Sequence, residues 1–141
     1  MKLLALFFLL LSLTFAETHI VVEDPWVRAV PPVSTMSAAF MKIKNTGKEE
    51  DYLVGVKSSV SKTAEIHTTI MEDGLMKMRQ LKEVRIPPGE SVEFKPMGKH
   101  IMLIDLNKPL RAGDKVKLIL IFKKSGEITV TAPVKSMDVN H

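Results

Sequence analysis

Apolar and polar residues alternate with a period of two along most of the chain, which is the pattern of half-buried β-strands. In residues 38–44, for example, Met41 and Ile43 alternate with lysines. Turn-forming residues interrupt the pattern at short intervals, and no stretch has the longer period of a helix. The predicted strands span residues 19–23, 26–30, 38–44, 52–56, 64–70, 75–79, 91–95, 100–106, 116–122 and 128–134.

Short strands between frequent turns predict an all-β fold, either a two-sheet antiparallel β-sandwich or a small Greek-key barrel. Residues 119–122 are apolar on both faces of their strand, which predicts a central position in a sheet. The length of 141 residues favours a single domain.

The N-terminal segment has the composition of a secretory signal peptide. Lys2 precedes an apolar run at residues 3–13, which is shorter than the ~20 residues of a spanning helix. We therefore expect a signal peptide at residues 1–16, a folded domain at residues 17–134 and a flexible tail at residues 135–141. Export to the periplasm follows, without stable membrane insertion after cleavage; a short uncleaved anchor is the alternative.

The amino-acid composition excludes several classes of function. Cysteine is absent, which excludes disulfides, thiolate zinc sites, iron–sulfur clusters and cysteine nucleophiles, and a lipid anchor on Cys is not expected. The net charge of +4 is modest and the basic residues are scattered, so nucleic acid is not an expected partner. Methionine is frequent: five of the nine lie between Met71 and Met102.

One predicted hairpin brings several of these methionines together. Asp73-Gly74 predicts a tight turn, because both residues tolerate positive φ. With these residues as the loop, positions whose numbers add up to 147 face each other. Side chains alternate between faces, so His67 and Met78 become diagonal neighbours on one face. Met71 and Met76 share that face.

A second His–Met pair comes from a later strand, where His100 and Met102 share a face. If the two pairs meet at one rim of the sandwich, they form a site of two nitrogens and two sulfurs. Thioether and imidazole together suit Cu(I) far better than Mg, Ca or Mn, and the absent Cys excludes a blue-copper centre. Methionines also commonly fill cores, so this pattern alone leaves packing and metal binding both open.

The spacing of the four residues matches a family signature. Ten residues separate His67 from Met78, twenty-one separate Met78 from His100, and Met102 completes the motif. In this the chain resembles the periplasmic copper(I) chaperones for cytochrome c oxidase assembly, the PCuAC-type family, and the likeness runs over residues 20–134. The flanking segments that also look like this family are 24–28, 65–67, 71–74, 76–79, 98–103, Leu110 and Gly113-Asp114.

The resemblance implies an antiparallel Greek-key β-sandwich of the cupredoxin-like type and a protein that is not an enzyme. It implies a copper-accepting subunit of a cytochrome oxidase as partner, with another copper carrier as a further candidate, and we expect a monomer. Met71 and Met76 are carried over only as residues near the metal or in its transfer. The implied Cu(I) ligands are His67, Met78, His100 and Met102. The alternatives are a periplasmic copper oxidoreductase, a copper storage or tolerance protein, and an adhesive β-sandwich.

Both ends of the chain contain further candidate ligands for Cu(II). Cleavage after Ala16 would leave a free amine with Glu17-Thr18-His19 behind it, and such an end can wrap a square-planar Cu(II). Met137 and His141 form a sparser pair at the other end. The sequence leaves open whether either end binds copper.

Overall fold

The computed structural model describes residues 19–137, and these residues are all-β. In this part of the chain no helix has the length and apolarity needed to cross a membrane. The predicted signal peptide, Glu17-Thr18 and residues 138–141 lie outside the described residues. The strands are β1 (Ile20–Arg28), β2 (Met36–Asn45), β3 (Asp51–Ser58), β4 (Ser61–Glu72), β5 (Leu75–Leu81), β6 (Val84–Ile86), β7 (Ser91–Phe94), β8 (His100–Leu106), β9 (Lys115–Phe122) and β10 (Gly126–Lys135).

The strands form two sheets that are joined along one edge. The first sheet has the order β5-β4-β8-β2-β1, and β7 pairs with β2 beyond the end of β8. The second sheet has the order β10-β9-β3-β6. A parallel pair between β1 and β10 joins the sheets, and the other pairs between these strands are antiparallel. The predicted all-β sandwich is therefore confirmed, with one parallel pair.

Alternate residues of both sheets pack into one apolar core. Ile43 and Ile101 of the first sheet are fully buried against Leu53 and Leu118 of the second. Strands β3 and β4 follow one another along the chain but lie in different sheets and contact each other across the sandwich. Burial of apolar area stabilises by about 25 cal/mol per Å², so the core decides which face of each strand points inward.

Two sequence predictions on pairing are confirmed. Strand β9 lies between β10 and β3, the central position that its two apolar faces predict. The β4–β5 hairpin turns at Asp73 and Gly74, with φ of 52° and 76°, and its register pairs Thr69 with Met78. That register is the one in which residue numbers add up to 147.

Two sequence predictions differ from the structure. The segments 19–23 and 26–30 were predicted as separate strands, but they form the single strand β1 with a bulge between Glu23 and Trp26. Asp24 adopts a positive φ of 49° there, which lets the chain bend and pair again with β2. Strand β6 was not predicted, because three residues are too few to show an alternating pattern.

The β9–β10 hairpin is held to β3 by a buried carboxylate. Asp51 is only 3% exposed and accepts hydrogen bonds from the backbone N–H groups of Lys124 (2.8 Å) and Ser125 (3.0 Å). The Ser125 hydroxyl and the Tyr52 N–H also donate to it. Burial raises the pKa of the Asp51 carboxyl, but these four hydrogen bonds more than offset that effect, so its pKa lies below the ordinary 3.8.

We predict that Asp51→Asn lowers the free energy of unfolding by about 1–3 kcal/mol at neutral pH, because an amide N–H would face donors from Ser125. The pKa of Asp51 is lower in the folded state than in the unfolded state. Its carboxylate therefore stabilises the fold above the unfolded-state pKa, and this contribution is lost as pH falls through the folded-state pKa. Urea unfolding between neutral and acidic pH should therefore show a flatter pH dependence for the variant.

The matched control for this experiment is Glu127→Gln. Glu127 is an exposed carboxylate on the same hairpin, 4.0 Å from the Lys57 ammonium. Exposed pairs of this kind contribute roughly 0–1 kcal/mol, so this variant should unfold almost as the unmodified protein does. Equal effects of the two substitutions would contradict the role given to Asp51.

Candidate metal centre

The outer face of the first sheet carries the four residues singled out by spacing. Ile66 and Ile101 pair across β4 and β8 and point into the core. Their neighbours His67 and His100 therefore point outward, where they are also directly paired. Met102 lies two residues further along β8 on the same face.

The two imidazoles are adjacent and largely shielded from water. Their ring centroids are 5.9 Å apart, with 37° between the ring planes. His100 is 5% exposed and His67 is half-buried. Directly opposed residues of an antiparallel pair have the shortest distance between side chains in a sheet, so the β4–β8 register alone brings the rings together.

Hydrogen bonds fix which nitrogen of each ring is free. His100 Nδ1 lies 2.9 Å from the carbonyl oxygen of Gly98, which can only accept, so Nδ1 donates and Nε2 has the lone pair. His67 Nε2 lies 2.8 Å from a carboxylate oxygen of Glu65, so Nε2 donates and Nδ1 has the lone pair.

Neither lone pair has a hydrogen-bond partner: His67 Nδ1 and His100 Nε2 are both buried and unpaired. A buried polar atom without a partner costs about 1–3 kcal/mol. Imidazoles that ligate metals characteristically donate their other ring N–H to a carboxylate or a carbonyl oxygen. Both rings have that arrangement, so they fit a metal that takes neutral nitrogen.

The two methionines differ in exposure. Met102 is 9% exposed, pairs with Glu65 on β4 and packs with Ala38 and Phe40 in a small cluster outside the main core. Met78 is 63% exposed, because β5 is the edge strand of its sheet. It is the diagonal neighbour of His67, as predicted, since it pairs with the residue two positions further along β4.

The two His–Met pairs come together on one sheet, beside its edge strand β5. Strands β4 and β8 are neighbours in one sheet, so both His–Met pairs lie on a single outer face. Three of the four residues, Met78, His100 and Met102, line one groove. His67 does not line it, but its ring is adjacent to that of His100, with the centroids 5.9 Å apart.

That groove has a volume of about 340 Å³ and an unusual lining. It contains no carboxylate, and its cations are Arg28 and Lys77. Arg28 lies over the ring of Phe40, 5.4 Å from its centroid, and its Nε is buried without a partner. Five thioethers line the walls, those of Met36, Met76, Met78, Met97 and Met102.

Such a lining discriminates between metal ions. Hard cations such as Mg²⁺ and Ca²⁺ need several oxygen ligands. Within residues 19–137 no group of three or more His, Cys, Asp or Glu side chains is placed to hold a metal. Soft, uncharged sulfur with imidazole nitrogen instead favours Cu(I).

The groups that orient the imidazoles, and Arg28 in the groove, were not predicted. Glu65 lies two residues before His67, so the period of two could have placed it on the same face. The Gly98 carbonyl and Arg28 gave no such signal, because a backbone oxygen has no residue type and Arg28 reaches the groove from a different strand.

With an imidazole and thioether site on a two-sheet β-fold, the molecule has the layout of a metal-binding sandwich. The chain belongs to the family described as "Putative lipoprotein LpqE-like", which matches residues 20–134. Its sequence is 38% identical over 115 residues to the "Putative lipoprotein Lxx21020" of Leifsonia xyli subsp. xyli, covering 81% of this chain and 68% of that one.

Solved structures agree with this assignment. The copper-bound PCuAC domain from PmoF2 superimposes with a TM-score of 0.73 at 29% identity, over 86% of this chain and 97% of that domain. The solution structure of CuI-DR1885 from Deinococcus radiodurans gives 0.68 at 28% identity, over 84% and 78%. The resemblance to the PCuAC-type family and the cupredoxin-like fold are thereby confirmed.

We predict that metal-free His100 is protonated on Nδ1 and His67 on Nε2 at mildly alkaline pH, because the Gly98 carbonyl and the Glu65 carboxylate accept from those atoms. Long-range ¹H–¹⁵N correlation NMR distinguishes the two tautomers directly. The same tautomer in His67 and His100 would contradict the assignment of the free nitrogens.

Proposed function

We propose that this protein is an exported carrier of one Cu(I) ion, which it delivers to the copper centre of a respiratory cytochrome oxidase in the periplasm. The observation that carries the proposal is the pair of buried, unpaired imidazole nitrogens on adjacent rings beside methionine sulfur. The likeness to a copper-bound domain supports the same metal. The proposed ligands are His67, Met78, His100 and Met102.

The oxidation state follows from the charge and softness of the ligands. Two imidazoles and two thioethers contribute no negative charge, so a monovalent soft ion is favoured over a divalent hard one. The cationic groove, with Arg28 and Lys77, opposes divalent ions further. The name of CuI-DR1885, a structural relative, supports the same choice.

A carrier accounts for the site better than an enzyme does. Transfer between proteins proceeds by exchange of ligands, which needs at least one ligand that the partner can reach, and Met78 is exposed. A thioether-rich site disfavours the Cu(II) state that a copper oxidoreductase would need, and the chain has no thiolate for a blue-copper centre. We therefore propose metal delivery without catalysis.

Export is the natural setting for this chemistry. The apolar run at residues 3–13 supports a signal peptide at residues 1–16, which would leave the sandwich as the mature domain. The lipoprotein name of a relative supports export as well. Thiols are prone to oxidation outside the cytoplasm, so a copper site without cysteine suits that compartment.

We predict that the double variant Met78→Leu, Met102→Leu folds but loses Cu(I) affinity by at least about 100-fold, which is ~2.7 kcal/mol. Leucine conserves the volume of methionine, so the cost to stability should stay below about 1.5 kcal/mol per site, while two of the four ligands are removed. Competition with a Cu(I)-specific chelator measures the affinity, and urea unfolding measures the stability.

Met41→Leu is the matched control. Met41 lies on β2 but points into the main core, where it is 2% exposed. Its replacement should change stability slightly and leave the Cu(I) affinity unchanged. Full Cu(I) affinity in the double variant would refute the ligand assignment.

We also predict that Cu(I) transfer to the soluble copper domain of an oxidase slows as salt rises, because positive groups near Met78 attract an acidic partner. Lys77 lines the groove, whereas Arg79 is 3.4 Å from Glu72 and Lys99 is half-buried. Lys77 should therefore contribute most. Replacing Lys77, Arg79 and Lys99 with Ala should remove most of the salt dependence in stopped-flow measurements.

The control for steering removes the same charge from the other sheet. Three exposed lysines on β3 and β9 serve for this: Lys57, Lys115 and Lys117. Replacing them with Ala should leave the salt dependence in place. A transfer rate in the unmodified protein that does not respond to salt would contradict steering but would leave the copper site intact.

A further inference from the structure

Met97 has a backbone conformation that its residue type does not favour. Among residues 19–137, four residues other than glycine have positive φ. Three are aspartates, which tolerate this region through local hydrogen bonds. The fourth is Met97, with a φ of 72°. It is the third residue of a turn closed by the Gly98 N–H and the Lys95 carbonyl at 3.0 Å, a position where positive φ favours glycine.

Packing does not explain why methionine occupies this position. Its side chain is 70% exposed and belongs to neither buried cluster. A strained residue persists when the surrounding structure enforces it, and such residues concentrate at functional sites. The strained backbone at Met97 therefore indicates a role for its side chain.

The side chain lies where soft sulfur is useful. Met97 lines the same groove as Met78, His100 and Met102. The next residue, Gly98, provides the carbonyl that accepts from His100 Nδ1. One turn thus both orients a proposed nitrogen ligand and holds a thioether at the mouth of the groove.

We propose that Met97 is a third thioether of the copper site, which binds Cu(I) during uptake and release in exchange with Met78. This inference rests on the proposed function. His100 and Met102 are 5% and 9% exposed, so a partner cannot reach them directly. Met78 and Met97 are the two most exposed of the five methionines that line the groove, at 63% and 70%, and a neutral thioether can replace another without changing the charge of the site.

Met71 is the matched control. It is 69% exposed, almost as exposed as Met97, and it lies on the outward face of the same sheet as His67. The family resemblance placed Met71 and Met76 near the metal or in its transfer, but only Met76 lines the groove in the structure, and Met71 does not. If exposure of the sulfur were sufficient, Met71 and Met97 would respond to the metal alike. A specific role for Met97 predicts a response at Met97 but not at Met71.

The direct test uses Ag(I), a redox-stable ion with the same preference for soft ligands. Methionine methyl groups labelled with ¹³C are followed by NMR during an Ag(I) titration and assigned with Met→Leu variants. The methyl signals of Met78, Met97 and Met102 should shift, and that of Met71 should not. Shifts at Met78 and Met102 without one at Met97 would overturn this inference alone. No shift at any of these methyls would overturn the proposed function and this inference with it.

The kinetic test compares Met97→Leu, Met97→Gly and Met71→Leu in the full chain. Release of Cu(I) to a chelator should slow roughly tenfold in both Met97 variants, the scale at which groups beside a metal act, and remain unchanged in Met71→Leu. Met97→Gly suits the turn, so it should not lower the melting temperature and cannot fail by unfolding. Release at the normal rate from Met97→Leu, or slow release from Met97→Gly alone, would refute a role for the sulfur.

Discussion

The register between β4 and β8 is the constraint on which the candidate site depends. Ile66 pairs with Ile101 in the core, and this pairing forces His67 opposite His100 on the other face. A slip of one residue would move each side chain to the opposite face. If β8 slipped against β4, Ile101 would become exposed and His100 would be buried in the core, so apolar burial on one face fixes the geometry of the polar site on the other.

That register also explains why the site can keep two buried nitrogens without partners. The cost of about 1–3 kcal/mol for each unpaired nitrogen is small compared with the free energy gained by burying apolar area between the two sheets. Glu65 and the Gly98 carbonyl then turn the rings so that the unpaired atom of each carries the lone pair. Stability comes from the inner face, and the outer face is free to carry chemistry that does not stabilise the apo fold.

The local pattern of turn residues and alternating side chains predicted part of this structure. The β4–β5 pairing followed from the Asp73-Gly74 turn, because a two-residue loop fixes the register of its own hairpin. Period two placed His100 and Met102 on one face of β8. What the residues alone could not supply was the neighbour of β8, since strands distant in sequence pair through the core. Within the sequence, only the family spacing links the two His–Met pairs.

The remaining misses share one physical cause, which is that backbone geometry leaves little trace in residue types. The bulge at Asp24 restores pairing after an apparent stop, and the Gly98 carbonyl acts through an atom that every residue has. Met97 occupies a conformation usual for glycine, so its strain is invisible in the sequence.

The methionine sulfurs that line the groove differ in their exposure to solvent. Met102 is buried beside the imidazoles, whereas Met78 and Met97 open to solvent. Methionine is flexible and apolar, so an exposed thioether can contact a partner surface and a metal ion with the same atoms. In this chain without cysteine, the proposed ligands thus range from buried to solvent-exposed, and all of them are neutral. An ion held by such a series can move outward by successive exchange of one sulfur for another, with no change of charge to oppose it.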